Sequence, residues 1–271
     1  MPQRIHKPAF PLSQYVEFMW RREEAVTESS RRRVCPDGAM ALVMNLRRPT
    51  ASFFVDGKTQ NIPVPLLAGP WSRPFEIDPS QAEAAIGVVF RPGAARMFFP
   101  VPAHELHNAD IALRDVHGEE ADRLLNEVCS AAGEREQLLE VERYLRRKLR
   151  GARPVHRAVR YAVEQLSREG GVRRIGEIQG DTGLSHTRFI QLFRENVGLT
   201  PKLFCRVRRF RALLSRIGKG LPVNWAGLAA DCGYFDQAHL IHDFRGFAGI
   251  TPAEYSRALS EAESRRAAAA S

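Results

Sequence analysis

Spaced at 100° per residue, Thr187, Gln191 and Arg194 fall on one side of a single helical stretch, and Ala238, His242 and Arg245 do the same in a second. These side chains suit recognition better than bond making. Glutamine can donate and accept toward one adenine edge, an alanine methyl can meet a thymine methyl, and arginine reaches phosphate oxygens. The opposite sides carry Phe189, Phe193 and Asn196 flanked by Leu192, and Leu240, Phe244 and Phe247. Each stretch thus has an apolar side for a core and a hydrogen-bonding side for a partner. Arg188 and Gln237 add reach near the two helix starts. His239 flanks core-facing Leu240, so a structural hydrogen bond and a base contact are equally consistent with it.

The two stretches are copies of one plan. "GLSHTRFIQLFRENVGLTPKLF" (183–204) aligns with "GYFDQAHLIHDFRGFAGITPAEY" (233–255). Phe189, Phe193, Gly198, Thr200, Pro201 and Phe204 each precede their counterparts by 51 residues, whereas Gly183 and Gly233 are 50 apart. The second copy therefore has one more residue in its turn. A short helical phrase precedes each glycine, from Ile175 and from Trp225. Glycine suits a left-handed turn, and Gly-x-Thr-Pro ends the helical run. Helix, tight turn, helix is the plan of a helix-turn-helix reader. Between the copies, "KLFCRVRRFRALLSRI" (202–217) predicts a connecting helix of about 24 Å. Its Lys202, Arg206, Arg208, Arg209, Arg211 and Arg216 would serve phosphates in part and pair with acids such as Glu195 in part. The first copy exposes three hydrogen-bonding side chains and the second a methyl beside two, so the first should discriminate bases more.

Charge supports a polyanionic partner. The chain has 271 residues, 44% hydrophobic, and a net charge of +9. Residues 1–150 hold 21 Lys and Arg against 20 Asp and Glu, while residues 151–271 hold 19 against 11. Nearly all the excess lies in the part that holds the repeat. No run reaches the ~18 apolar residues of a membrane span, and the first residues lack a signal-peptide core. Cys35, Cys129, Cys205 and Cys232 are scattered without metal-ligand spacing, as expected of reduced thiols in a cytoplasmic protein.

The first 110 residues have another texture. Apolar runs at 40–46, 52–55, 62–69 and 84–90 are separated by Gly, Pro and Asp turns, which predicts an antiparallel β domain, barrel-like or jelly-roll-like. Helices should follow at about 118–132 and 134–150. The second has an apolar side of Leu138, Val141, Tyr144, Leu145 and Leu149 that would pack on the β domain or on a second subunit. Trp20, Asp37, Trp71 and Arg91 are candidates to line a ligand pocket. Core packing for the tryptophans and turn chemistry for Asp37 and Arg91 are the competing readings. His6, His104, His107 and His117 fall outside the strand runs, so no metal ligand set or nucleophile motif points to an enzyme, and no cofactor is expected.

With these residues in view, positions 155–258 resemble the DNA-binding domain of the AraC/XylS family of bacterial transcription regulators. The resemblance is carried by Gly183, Phe189, Phe193, Gly198, Thr200 and Pro201, then by Leu228, Ala229, Gly233, Phe244, Gly249, Thr251, Pro252 and Tyr255. Gln179 departs from it, standing where the family has a small alanine, which predicts looser packing of the first unit. "YVEFMW" (15–20), "VCPDG" (34–38), "LAGPW" (67–71) and "VVFRPGAARMFFPVPAHEL" (88–106) are similar to the N-terminal domain of an AraC-type subgroup whose ligand is generally unassigned.

The resemblance implies an α+β chain. A β-rich, cupin-like or jelly-roll-like sensor domain would span 1–110 and a helical linker or dimerisation segment 111–152. The double helix-turn-helix domain would span 153–258, with a frayed tail at 259–271. It implies a transcription regulator bound to double-stranded DNA, modulated by a small-molecule effector or by self-association as a homodimer, and contacting RNA polymerase if an activator. The alternative is a constitutive protein-interaction module without a ligand. Redox sensing through Cys35 or Cys129 is a third reading.

Overall fold

The computed structural model describes residues 4–23, 31–78, 84–167, 174–217 and 224–269. The N-terminal strands are β1 (Arg4–His6), β2 (Val16–Glu23), β3 (Arg32–Val34), β4 (Ala41–Asn45), β5 (Thr50–Val55), β6 (Lys58–Pro63), β7 (Leu66–Ala68), β8 (Phe75–Ile77), β9 (Ala84–Phe90) and β10 (Asp110–Ala112). They form two antiparallel sheets, ordered β1-β2-β9-β4-β7-β10 and β3-β8-β5-β6. The four apolar runs all become strand. The run at 62–69 divides around Pro63 and Pro65, which lack the N–H a continuous ladder needs. The three-residue strands β1, β3, β8 and β10 are too short to show an alternation in the sequence.

Side-chain alternation sorts the larger sheet into two faces. Met19, Leu42, Met44, Ile86 and Val88 point to one side and are fully buried. They pack with Leu124 and Val128 of α2 (Glu119–Ser130) and with Leu138, Val141, Tyr144 and Leu145 of α3 (Glu134–Leu149), which follow the single turn α1 (Arg114–His117). The apolar side of α3 is therefore used on the β domain, and a second subunit is not needed to cover it. Polar ties fix its angle. His6 Nε2 lies 2.8 Å from Glu142 Oε1, Arg4 donates to Glu134 at 2.9 Å, and the Tyr144 hydroxyl bonds to His117 Nδ1. The other face of the sheet carries Ala41, Val43, Ala85, Gly87 and Val89 toward the smaller sheet, and the small side chains leave a cavity there.

The C-terminal part is helical: α4 (Arg157–Ser167), α5 (Ile175–Asp181), α6 (His186–Val197), α7 (Pro201–Ile217), α8 (Trp225–Asp231), α9 (Gln237–Ala248) and α10 (Pro252–Ala269). The repeat in the sequence is a repeat in the backbone. Helices α5 and α8 have seven residues each, α6 and α9 twelve each. Gly198 and Gly249 end α6 and α9 at φ +85° and +71°, the left-handed conformation that releases the chain into the next proline-started helix. Helix α10 runs on through Ala269, and Leu259 packs on the helical core. Positions 270 and 271 lie outside the described residues.

Burial gives the N-terminal domain a pH signature. His107 and His117 are both held below the ordinary histidine range, first by burial, then by the Arg194 guanidinium for His107 and by the Lys148 ammonium for His117. The unfolded chain therefore binds more protons than the folded one as pH falls through about 6.5, and stability drops in that window. Asp110 acts oppositely. Burial raises it to about 6, so protonation favours the folded state as acid is added below that value. The unfolding free energy should fall from pH 7 to pH 6, and His117→Asn should flatten that slope whatever its own stability. Denaturant titrations at stepped pH measure this; an unchanged slope in the variant would remove His117 from the account.

Candidate nucleic-acid interface

The two helix-turn-helix units present the faces read from the sequence. Phe189, Leu192, Phe193 and Asn196 of α6 are buried, as are Leu240, Phe244 and Phe247 of α9. Thr187, Arg188, Gln191 and Arg194 are exposed on α6, and Gln237, Ala238, His242 and Arg245 on α9. Each second helix is capped at its start. Ser185 Oγ accepts from the Arg188 N–H at 3.4 Å, and Asp236 Oδ1 from the His239 N–H at 2.7 Å. His239 is the exception among the exposed set. Its Nδ1 lies 3.5 Å from the Phe235 N–H, its Nε2 lies 3.7 Å from Asp243, and its ring meets Tyr234 edge-on. That environment favours the structural reading of this histidine.

Gln191 is held ready within the free protein. It accepts from Arg188 Nη1 at 3.1 Å and donates to Glu195 at 2.9 Å, so both ends of its amide are oriented along the helix. Gln179 makes a polar contact where the missing alanine suggests looser packing. Its side chain donates to the Leu184 carbonyl across the turn, replacing close packing with a hydrogen bond.

The connecting helix is clamped to the second unit through its arginines. Arg206 Nε and Nη2 reach Asp243 Oδ1 at 3.0 and 2.7 Å, and Asp243 is 1% exposed. Arg209 donates to the Gly233 carbonyl at 3.1 Å and covers the Tyr234 ring, while Arg216 pairs with Asp231 at 3.3 Å. These pairings were open in the sequence, where Glu195 stood as the candidate acid. Glu195 turns instead to Arg96 of the N-terminal domain at 3.5 Å.

The N-terminal domain lies against both units, and one short segment reaches each of them. At Gly198 a side-chain Cβ would stand 2.2 Å from Pro70 Cγ and 2.8 Å from the Ala103 carbonyl oxygen. At Gly249 it would stand 3.4 Å from Pro74 Cγ, and Arg33 Nη1 donates to the neighbouring Ala248 carbonyl at 3.4 Å. The two equivalent corners of the repeat thus meet residues 70 and 74. A second loop contributes at Gly38, whose Cβ would lie 3.1 Å from Leu199 and 3.4 Å from Val207. The exposed side of α6 also borders the N-terminal domain, where His104 shares a crevice with Thr187, Ile190, Gln191 and Arg194.

Trp71, between those two prolines, faces inward. Trp20, Asp37 and Trp71 all line the cavity of about 500 Å³ between the sheets; Arg91 does not. Arg91 lies in a separate groove with Tyr15 and Pro154, its Nε donating to the Ser13 carbonyl at 3.1 Å and its backbone N–H to the Tyr15 carbonyl at 2.8 Å. It closes a turn, the competing reading of the Arg-Pro-Gly phrase. Asp37 also serves its own turn, accepting from the Ala39 N–H at 2.9 Å. The sequence reading missed Asp110. Its Oδ1 accepts from Trp71 Nε1 at 2.8 Å and from the Gly69 N–H at 3.2 Å. A lone aspartate beginning a three-residue strand carries no pattern that would have marked it. The four cysteines are free, and burial pushes every one of their thiols up, opposite to the activation a reactive thiolate needs.

Two outcomes follow from this geometry. Arg206→Ala leaves the Asp243 carboxylate buried without its partner and should destabilise the domain by about 3 kcal/mol; denaturant unfolding of the variant checks it, and a loss within ~0.5 kcal/mol would mean the pair is not structural. Gln191→Ala and His242→Ala should each cost about 1–3 kcal/mol on a cognate duplex and little on random DNA. Equal losses on both duplexes would assign those side chains to the backbone.

The comparisons with known proteins match two separate parts of the chain. Residues 4–112 match the family described as a domain of unknown function (DUF6597), and residues 156–258 match the family described as a helix-turn-helix domain. No protein of curated function matches the sequence. Solved structures of ToxT from Vibrio cholerae are similar at low identity. One from strain O395 is 12% identical, covers 89% of this chain and 96% of that one, and has a TM-score of 0.43. An apo variant from strain SCE256 is 11% identical over 89% and 97%, with a TM-score of 0.47. Wild-type ToxT of that strain bound to an unsaturated fatty acid is 12% identical over 88% and 93%, with a TM-score of 0.44. Likeness at this level says nothing of what this chain binds. The domain match, the paired helical units and their exposed faces carry the assignment: residues 156–258 are an AraC-type helix-turn-helix DNA-binding domain.

Proposed function

We propose that the protein is a sequence-specific, DNA-binding transcription regulator of the bacterial cytoplasm, in which a small molecule bound by the N-terminal domain modulates the helical readers. The DNA-binding part rests on the basic helical domain and on its two polar faces, which Thr187, Gln191 and Arg194 and then Ala238, His242 and Arg245 bring to major-groove edges. The modulation rests on one observation. Pro70 packs closely against the stop glycine of the first reader, Pro74 lies beside that of the second, and Trp71 between them lines the cavity. A molecule that moves Trp71 acts on the segment that seats both units. This is a physically continuous coupling between two sites, each of which biases the same element. Self-association through α3 has less support, since the apolar side of that helix is already spent on the β domain.

Selection of duplexes from a random pool by the full-length chain tests the reading. Enriched sequences should share two blocks of preferred bases about 34 Å apart, one helical turn, since α7 holds the readers as a pair. Their affinity should fall steeply and linearly with the logarithm of salt concentration as Lys and Arg displace counterions. Steep salt dependence without enrichment of any sequence would leave a nonspecific DNA binder and overturn the proposal.

A further inference from the structure

The cavity between the sheets is shaped by deliberate smallness on one wall and aromatic bulk on the others. The larger sheet gives it Ala41, Val43, Ala85 and Val89, where the same strands give Leu42, Met44, Ile86 and Val88 to the opposite face. Trp20 lies flat over Gly87, where a Cβ would come within 2.1 Å of the indole, so the ring is pressed into the wall and its face is presented inward. Phe53 and Phe75 close the other side, and the Trp71 and Phe75 rings sit 4.8 Å apart. An interior space of about 500 Å³ forfeits packing that a filled core would have, and it lies within the ~300–1,000 Å³ range of small-molecule sites.

The polar groups are unevenly placed in this cavity. Asp110 pairs with Ala68 across the ladder, Ala68 with Ala41 and Ala41 with Val89, a row of small side chains around one carboxylate. Asn45 and Arg22 belong to the row of Ala85, four residues further along the strands, or about 13 Å. Arg22 and Asp78 hold interactions of their own, although Arg22 Nε is buried without a hydrogen bond at that far end; Asp37 caps its turn, and Arg32 is exposed at the rim. Asp110 is different. Both of its hydrogen bonds fall on Oδ1, and among the described residues Oδ2 has none and no cation pairs with it. Burial raises this carboxyl to about 6, the mark of a charge short of compensation. A carboxylate beside aromatic faces is the arrangement that recognises a cation, since the ring faces attract positive charge as well.

We propose that this cavity binds an organic ammonium ion with an aromatic or branched apolar body, its N–H groups donating to Asp110 and its body lying among Trp20, Trp71, Phe53 and Phe75. The ligand would complete the Asp110–Trp71 contact from the side the protein leaves open. It would thereby hold the segment from Gly69 to Phe75, in which Pro70 packs against Gly198 and Pro74 lies beside Gly249. The consequence for DNA rests on the regulatory reading above; the binding itself does not.

Thermal unfolding of the full-length chain distinguishes the ligand classes with three compounds of one shape: 2-phenylethylammonium, 2-phenylethanol and 3-phenylpropionate, each at millimolar concentration. The ammonium should raise Tm, because a ligand bound only to the native state stabilises it, while the alcohol and the carboxylate should leave it unchanged. Asp110→Asn should weaken ammonium binding at least tenfold. If that variant does not fold, Ala41→Leu fills the space while leaving the carboxylate in place, and it should abolish the shift. Binding of the carboxylate or the alcohol as well as the ammonium, a shift that survives both substitutions, or no shift with any of the three would overturn the proposal. DNA affinity measured on the same samples separates the two readings. A Tm shift with no change in specific DNA binding would sink the coupling and leave the site, and specific DNA binding with no shift would sink the site and leave the regulator.

Discussion

The arrangement of the molecule depends on how closely one glycine, Gly198, lets the two domains approach each other. Gly198 and Gly249 are needed locally, since each takes a left-handed conformation that ends a recognition helix. Gly198 is needed a second time, because any Cβ there would collide with Pro70 and with the carbonyl of Ala103. The same residue thus stops the helix and admits the neighbouring domain. Helix ends are sound places for such a contact: backbone is exposed there, and the geometry is set by the cap rather than by a long flexible side chain. The cost of this design is that the domain contact and the reader geometry cannot vary independently.

Within the helical domain the corresponding constraint is electrostatic. Asp243 sits on α9, almost wholly buried, and Arg206 sits on α7, one third exposed, so the pair joins the connecting helix to the second reader. A buried pair of this kind adds little net stability over an apolar substitute, but it is costly to break on one side. Its contribution here is registry. The fork of the arginine fixes the rotation of α9 about α7, which decides whether His242 and Arg245 face outward together. Among the described residues the first reader has no equivalent ion pair to α7. It is held by Phe193 against Phe204 and by the N-terminal domain through the Arg96–Glu195 pair.

The helical half was legible because its information is local and repeated. A 3.6-residue period, two glycines and a Thr-Pro stop occur twice, so each copy confirms the register of the other, and the buried and exposed faces followed directly. Much less of the N-terminal half could be read. Its long strands announce themselves by composition, but β1, β3, β8 and β10 owe their existence to neighbours far along the chain. The cavity is a property of which face receives the small residues, and that requires the pairing register. Trp20 and Trp71 could be suspected of lining it from their type; Asp110 could not, because its meaning comes from a tryptophan 39 residues earlier. Arg91 is the converse case, a charged residue in a conspicuous phrase that the sequence left open between pocket and turn and whose hydrogen bonds go to the backbone at Ser13 and Tyr15.

The two readers are consequently unequal in a way the sequence repeat conceals. On α6 the exposed side borders His104, and Arg194 lies close enough to His107 to depress its protonation. On α9 the described contacts with the N-terminal domain are confined to the stop corner, through Arg33 and Pro74. A shift of the β domain therefore changes the surroundings of Gln191 and Arg194 directly, while it reaches His242 and Arg245 only through the corner at Gly249. The first reader also has the larger set of hydrogen-bonding side chains. On the function proposed above, base discrimination and sensitivity to the N-terminal domain would fall on the same helix. Under that proposal the division has a physical reason: the second unit, braced by Arg206 and Asp243, would hold position on DNA while the first would decide how well the sequence is read.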